Sequence, residues 1–353
     1  MKNSRWYYID YLRFISVICI IGIHASDIVA QTSKHFSIQW WYSTILQILV
    51  RIGLPIFFMM SGALLLNGKE ESLFQFYVKR FSKVAIPFIA YSFFYLFIFN
   101  YKWSLFSLSN LVHSLLDILK GPVFYHLWFV YTLLGLYVVA PFLKAMLQGL
   151  SNKILINLMI VILILRCISI YLPVTGVNLG LTNYVFDNWV MYFISGYMLT
   201  RDLGEKFNKA VYRLGVISFI FTIIIIRYIP SFSNNLFDLS PTMVLMTASV
   251  FLFFKQSSHR FPQNGPIYWV ISLSNKYSYS IYLIHAFTLS YVLNDKLGIN
   301  GMWINPVIGI FVTISLAFVF SFIFAFIIDN IIINPILKPI IKYLSKSETI
   351  KNT

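Results

Sequence analysis

Long apolar runs, each closed by a charged or Pro/Gly-rich stretch, recur along the whole chain. Ten of them, about 16 to 29 residues long, fall near residues 9–30, 42–66, 84–101, 124–147, 154–171, 185–200, 211–229, 240–255, 277–294 and 306–334. A helix rises about 1.5 Å per residue, so roughly 20 apolar residues cross a hydrocarbon core about 30 Å thick. Runs of this length predict an all-α fold, a polytopic membrane protein with about ten transmembrane helices. There is no internal repeat, no low-complexity segment and no polar region long enough for a separate soluble domain. Residues 1–353 therefore read as a single membrane-embedded domain, its helical core over about 9–335 and a basic tail over 336–353.

Charge orients these spans. With a cytoplasmic N-terminus and strict alternation, 19 of the 27 Lys and Arg residues fall on inner segments. Five (Lys34, Lys102, Lys120, Arg227 and Lys296) fall outside, and Arg13, Arg51 and Arg166 lie within spans. Cytoplasmic loops carry the excess of Lys and Arg, so this split places both termini inside and makes the number of spans even. The net charge of +15 then reads as a topology signal and an attraction to anionic inner-leaflet lipid, not as a nucleic-acid footprint. Composition agrees: 59% of residues are hydrophobic and 11% charged, with a mean hydropathy of +0.76, whereas soluble domains carry about 25% charged residues. The first run keeps charged residues and lacks a clear A-x-A site, which argues against a cleaved signal peptide. Both cysteines, Cys19 and Cys167, lie in apolar runs, so neither a disulfide framework nor a thiolate metal site is expected.

The candidate chemistry starts in the first span. IDYLRFISVICIIGIHASDIVA carries Asp10, Arg13, His24 and Asp27, and charges at membrane depth are rare unless they serve a function. Arg13 and His24 are 11 residues apart, close to three helical turns, which places them on one face about 16 Å apart along the axis. At 100° per residue all four polar residues fall within an arc of about 100°, while Cys19 points the opposite way. For Asp10 and Asp27, positions at the two headgroup levels are an equal reading. His24, behind the run ISVICIIGI, stands in the outer half of the span, where it shares its face with a guanidinium.

Other intramembrane polar groups are few. Arg51 opens the stretch GLPIFFMMSGALLL, in which Pro55 and Ser61-Gly62 loosen the helix; an interfacial anchor is an equal reading for Arg51. His126 and Trp128 sit at the outer mouth of the fourth span, where a belt role is favoured. His285 lies at mid-membrane, with packing and function weighing equally. Lys79, Arg80 and Lys83 form a basic cluster leading into the third span, a topology signal that could also hold an anionic ligand at the cytoplasmic mouth.

Walker, G-x-G-x-x-G, H-E-x-x-H and G-x-S-x-G signatures are absent, and no two histidines fall at metal-ligand spacing on one helix, so no metal is expected. What remains is a histidine fit for general base work, a cation on the same face, and a basic inner side. A histidine can take the proton of a hydroxyl as its oxygen attacks a carbonyl, and the resulting oxyanion needs cationic or hydrogen-bonding donors. That scheme fits acyl transfer from a cytoplasmic anionic thioester to an alcohol reached from the other side.

The chain resembles acyltransferase family 3, the bacterial membrane O-acyltransferases. The likeness rests on IDYLRFISVICIIGIH, which carries the Arg-x10-His signature as Arg13 and His24. PIFFMMSGALLL (55–66), KRFSKVAIPF (79–88), HLWFVYTLLGLYVVAPFL (126–143), YFISGYML (192–199) and SYSIYLIH (278–285) follow in the family's order. The resemblance implies a ten-helix domain that passes an acyl group, acetyl above all, from acyl-CoA to a hydroxyl of a surface polysaccharide or a lipid-linked glycan at a bacterial cell membrane. It implies His24 as base, with Asp27 tuning it, and Arg13 as partner of the thioester. Arg80 would hold the donor's phosphates, with Lys79 and Lys83 beside it, Lys83 standing where many relatives have Arg. No permanently bound cofactor is implied; acetyl-CoA is a substrate. A transporter of polysaccharide or lipid-linked sugar without covalent chemistry is the competing reading, and His285 the second candidate base.

Overall fold

A computed structural model describes residues 6–101, 107–177 and 189–351. Among them stand thirteen α-helices and no strand. They are α1 (Tyr7–Thr32), α2 (Ile38–Val50), α3 (Gly53–Leu66), α4 (Leu73–Tyr95), α5 (Leu108–Lys120), α6 (Trp128–Gln148) and α7 (Asn152–Tyr171). Then follow α8 (Val190–Thr200), α9 (Glu205–Tyr228), α10 (Pro241–Gln256), α11 (Gly265–Phe287), α12 (Pro306–Ile328) and α13 (Asn334–Lys351). Among the described residues seven helical stretches are long and apolar enough to cross a membrane: α1, α2 with α3, α4, α6, α7, α9, and α12 running on into α13. The protein is thus an all-α, multi-pass membrane protein. The remaining predicted runs coincide with α8, of 11 residues, α10, of 16, and α11, which carries the polar stretch SLSNKYSYS at 272–280. Residues 185–188 of the sixth run, and Lys102, lie outside the described residues.

Local sequence sets where many helices begin. Serine side chains accept from the backbone N–H three residues on at Ser37, Ser72, Ser107, Ser151 and Ser240, and so cap α2, α4, α5, α7 and α10. Pro241 follows its cap at the first helical position, where its missing N–H costs nothing. The helix α4 starts eleven residues before the predicted run, so Lys79, Arg80 and Lys83 lie within it rather than in a loop ahead of it. For α11 the reason is satisfaction of polar groups, since Ser274 donates to the Val270 carbonyl and Asn275 to the Asp10 carbonyl.

The second predicted run, 42–66, is broken. Residues 51–52 form a turn between α2 and α3. Pro55 has no N–H to give to the Arg51 carbonyl, which removes the hydrogen bond that would carry the helix through. The ladder resumes with the Ile56 N–H on the Ile52 carbonyl at 3.0 Å. At the start of α3, Gly53 lies against α1; a Cβ there would stand 2.7 Å from the Cys19 Cβ.

The chain divides into two compact units, residues 1–68, 142–276 and 299–314 in the first and 69–141, 277–298 and 315–353 in the second. In the first unit α1 packs on α2 and α3, and α3 crosses α8 at a reciprocal pair of glycines. A methyl group on Gly62 would fall on the Phe193 backbone, and one on Gly196 on the Met59 backbone, so only glycine lets the two helices approach this closely. Trp40, Ile48, Ile226, Phe232, Leu236 and Met243 form an apolar cluster in this unit. The second unit buries Tyr91, Tyr95, His126, His285 and Asp329. Its helix α5 is amphipathic, with Leu111, Val112, Leu115, Leu116 and Leu119 exposed on one side.

Candidate active site

The helix α1 is unbroken from Tyr7 to Thr32, so the spacing expected of its polar stripe holds and Arg13 and His24 stand about 16 Å apart along one axis. Both are half-buried. At its N-terminal end the buried Asp10 carboxylate accepts from the Tyr268 hydroxyl at 2.7 Å and lies 4.0 Å from the Arg13 guanidinium. With Asn275 donating to the Asp10 carbonyl at 2.8 Å, this ties α1 to α11 and gives Arg13 an acidic neighbour one turn back.

One turn beyond His24 the stripe meets α2. Gln47, only 4% exposed, is the hub. Its amide nitrogen donates to the Ile23 carbonyl (2.7 Å), the Ser26 hydroxyl (2.9 Å) and the Asp27 carboxylate (3.0 Å), and its oxygen accepts from Arg51 Nε (3.0 Å). This orientation of the amide is forced, because Arg51 only donates while the Ile23 carbonyl and the Asp27 carboxylate only accept. Arg51 also lies 4.0 Å from Asp27 and 3.7 Å from Asp238, with its guanidinium over the Phe237 ring. Asp27 and Arg51 therefore face each other and together line a cavity of about 270 Å³.

Pro230, Ser233, Asn234 and Phe237 line the cavity as well, and buried groups hold the end of their segment. Tyr192 donates to the Asp238 carbonyl, and the buried Arg166 donates through Nε to the Leu239 carbonyl at 3.1 Å. Asp238 itself adopts a left-handed backbone, φ 53°, a conformation that Asp tolerates better than most residues. Burial pushes the Asp238 carboxyl above the usual carboxylate range, and the Arg51 guanidinium opposes this.

In the second unit the basic cluster has an acidic partner. Glu71 lies 2.7 Å from Arg80 and 3.7 Å from Lys79, and the Arg80 guanidinium sits over the Phe76 ring, while Lys83 is exposed. His126 and His285 meet edge to face, ring centroids 4.9 Å apart, and both are buried. His126 donates from Nε2 to the Leu283 carbonyl at 3.0 Å, and His285 from Nδ1 to the Tyr282 carbonyl, since carbonyls only accept. Trp128, half-buried, opens α6.

The structure thus joins Asp10 to Arg13, Asp27 to Arg51, Lys79 and Arg80 to Glu71, and His126 to His285. Sequence reasoning missed Gln47, Glu71, Asp238 and the buried Asp329, which accepts from Ser280 at 2.8 Å and from Tyr91 at 3.3 Å. Asp329 carried a signal, as a lone acid in the apolar run 306–334; Gln47, four residues before Arg51, carried a weaker one. Among the described residues no group of three or more His, Cys, Asp or Glu is placed to hold a metal ion.

A multi-pass helical protein with a charged stripe through its first helix is the class these features define. The family described as an acyltransferase domain matches residues 6–327 of the 353, and the chain belongs to it. It is a membrane acyltransferase, as the resemblance of the Arg-x10-His run implied. No curated protein and no solved structure matches the chain.

Proposed function

We propose that the protein is an O-acyltransferase that moves an acetyl group from cytoplasmic acetyl-CoA to a hydroxyl of a surface polysaccharide or lipid-linked glycan at a bacterial plasma membrane. The observation that carries this reading is the unbroken α1, which sets Arg13, His24 and Asp27 along one face, with Asp27 in the wall of a polar cavity one turn beyond His24. His24 takes the proton of the acceptor hydroxyl as its oxygen bonds to the thioester carbonyl. The C–S bond then breaks, CoA leaves as thiolate, and His24 returns the proton to it. Arg13, about 16 Å along the axis from His24, orients the donor toward the base. Asp27, next to His24 on the face and hydrogen-bonded to Gln47, fixes the polarity at that end. Arg80, with Lys79 and Lys83, holds the phosphates of the donor.

The half-buried His24 is reachable by a substrate, whereas His285 has no exposed surface and spends Nδ1 on a carbonyl, which supports His24 as base. The testing experiment is release of CoA from acetyl-CoA by purified protein with a glycolipid extract, for wild type and His24→Ala. Release that needs both the extract and His24 is expected. Wild-type release by His24→Ala would remove His24 as base, and folded protein that neither binds nor cleaves any acyl-CoA would put the transporter reading first.

A further inference from the structure

The cavity beside Asp27 is chemically specific. Its wall combines two aromatic faces, Trp40 and Phe237, with planar polar groups from Asp27, Gln47, Arg51 and Asn234. Its volume of about 270 Å³ is just below the roughly 300–1,000 Å³ typical of drug-sized ligands, which leaves room for one ring and not a chain of them. Ions and amides in the wall rule against a plain hydrocarbon ligand, since burying them against carbon forfeits their hydration.

Charge narrows the choice further. Arg51 is flanked by two carboxylates, Asp27 in the wall at 4.0 Å and Asp238 outside the lining at 3.7 Å, so these three groups sum to −1. An anionic ligand would compete with both carboxylates for one guanidinium. A cationic ligand finds Arg51 already between the carboxylates and over the Phe237 ring, where a cation would otherwise stack. An uncharged ring bearing hydroxyls suits all three: its apolar face lies on an aromatic wall while its hydroxyls both donate to Asp27 and accept from Arg51.

We propose that this cavity is the acceptor subsite and that it selects an uncharged, hydroxyl-bearing ring of monosaccharide size, excluding acidic sugars. The selection rests on the acyltransferase reading only in naming the ligand an acceptor. The wall begins one helical turn, about 4.5 Å along the axis, beyond His24, so a hydroxyl of the bound ring is presented toward the base. Pinning of the 237–239 segment by Tyr192 and Arg166 makes the site preformed rather than assembled by the ligand.

The test separates ring binding from donor chemistry. Full-length protein is taken in a non-glycosidic zwitterionic detergent, because maltoside heads are themselves such rings. Saturation-transfer NMR is recorded without donor for the methyl glycosides of glucose, N-acetylglucosamine, glucosamine and glucuronic acid, and acetyl-CoA binding is measured without sugar. The neutral glycosides should bind saturably, the glucuronide at least tenfold more weakly, and added maltoside should compete. Asn234→Ala, at an exposed position, should weaken the neutral glycosides about three- to tenfold and leave acetyl-CoA binding unchanged. Asp238→Asn keeps a residue that tolerates the left-handed backbone and removes one negative charge. It should narrow the neutral-to-acidic preference roughly three- to tenfold, the effect of one charge several Å away at a surface-like dielectric. Equal or tighter binding of the glucuronide or of the glucosamine glycoside overturns the proposal, and so does acetyl-CoA binding with no saturable glycoside. Saturable, Asn234-dependent glycoside binding without any acyl-CoA binding upholds the subsite and overturns the acyltransferase chemistry instead.

Discussion

Replacing Gln47 by Met tests the central claim that one buried amide joins α1, α2 and the Asp27–Arg51 pair. Met has nearly the same length and removes four hydrogen bonds at once. Two of these go to charged partners, worth about 1.5–3 kcal/mol each, and two to neutral ones, about 1 kcal/mol each. Part is recovered. Ser26 still donates to the Gly22 carbonyl at 2.6 Å, and Asp27 and Arg51 keep each other and gain water from the cavity. The net loss should be about 2–4 kcal/mol. Gln47→Glu supplies a second variant. Its carboxylate still accepts from Arg51 but cannot donate, so it loses the bonds to Ile23, Ser26 and Asp27 and sets a second negative charge beside Asp27. It should therefore cost at least as much as Gln47→Met. Unfolding in mixed micelles titrated with a denaturing detergent measures both. Wild-type stability in either variant would show that the amide does not join these groups.

Three further outcomes are expected. Gly196→Ala places a methyl group on the Met59 backbone, so the protein should lose more than about 3 kcal/mol or fail to reach the membrane folded, whereas Gly135→Ala, with open space around it, should express normally; size-exclusion profiles decide. Glu71→Gln frees Arg80 and Lys79, and on the proposed donor site KM for acetyl-CoA should fall about two- to tenfold with kcat unchanged; a rise in KM would mean that Glu71 positions Arg80 instead. Arg13→Lys keeps the charge near Asp10 but not the planar fork, so kcat should drop at least about tenfold while stability changes by less than about 1 kcal/mol.

The buried polar groups fall into two kinds. His126, His285, Tyr95 and Asp329 are fully or nearly enclosed, and their hydrogen bonds to Leu283, Tyr282, Ser280 and Tyr91 stitch the second unit together. Arg13, His24, Asp27 and Arg51 keep part of their surface open. A proton-transferring group needs access to its substrate, which is why the open set carries the chemistry proposed and the sealed set the packing.

Hydrophobic run length alone determined that the chain is a bundle of membrane helices, because a bilayer imposes one length and one backbone solution on every span. The 3.6-residue period likewise determined that Arg13 and His24 share a face, since both lie on one element whose geometry is local. Serine caps set several helix starts by equally local chemistry, although the apolar runs alone place the start of α4 eleven residues late. What needed the tertiary structure were relations between elements. The break at 51–52 follows from Pro55, yet its consequence, Arg51 turned onto Asp27, depends on α2 lying beside α1. Residues 272–276 fall ahead of the predicted run 277–294, yet they join α11 because Asn275 finds the Asp10 carbonyl 265 positions away. Asp238 reaches Arg51 only because Tyr192 and Arg166 hold its loop. Local geometry is written in neighbouring residues, whereas the pairing of buried charges is decided by packing, and it is packing that builds the cavity.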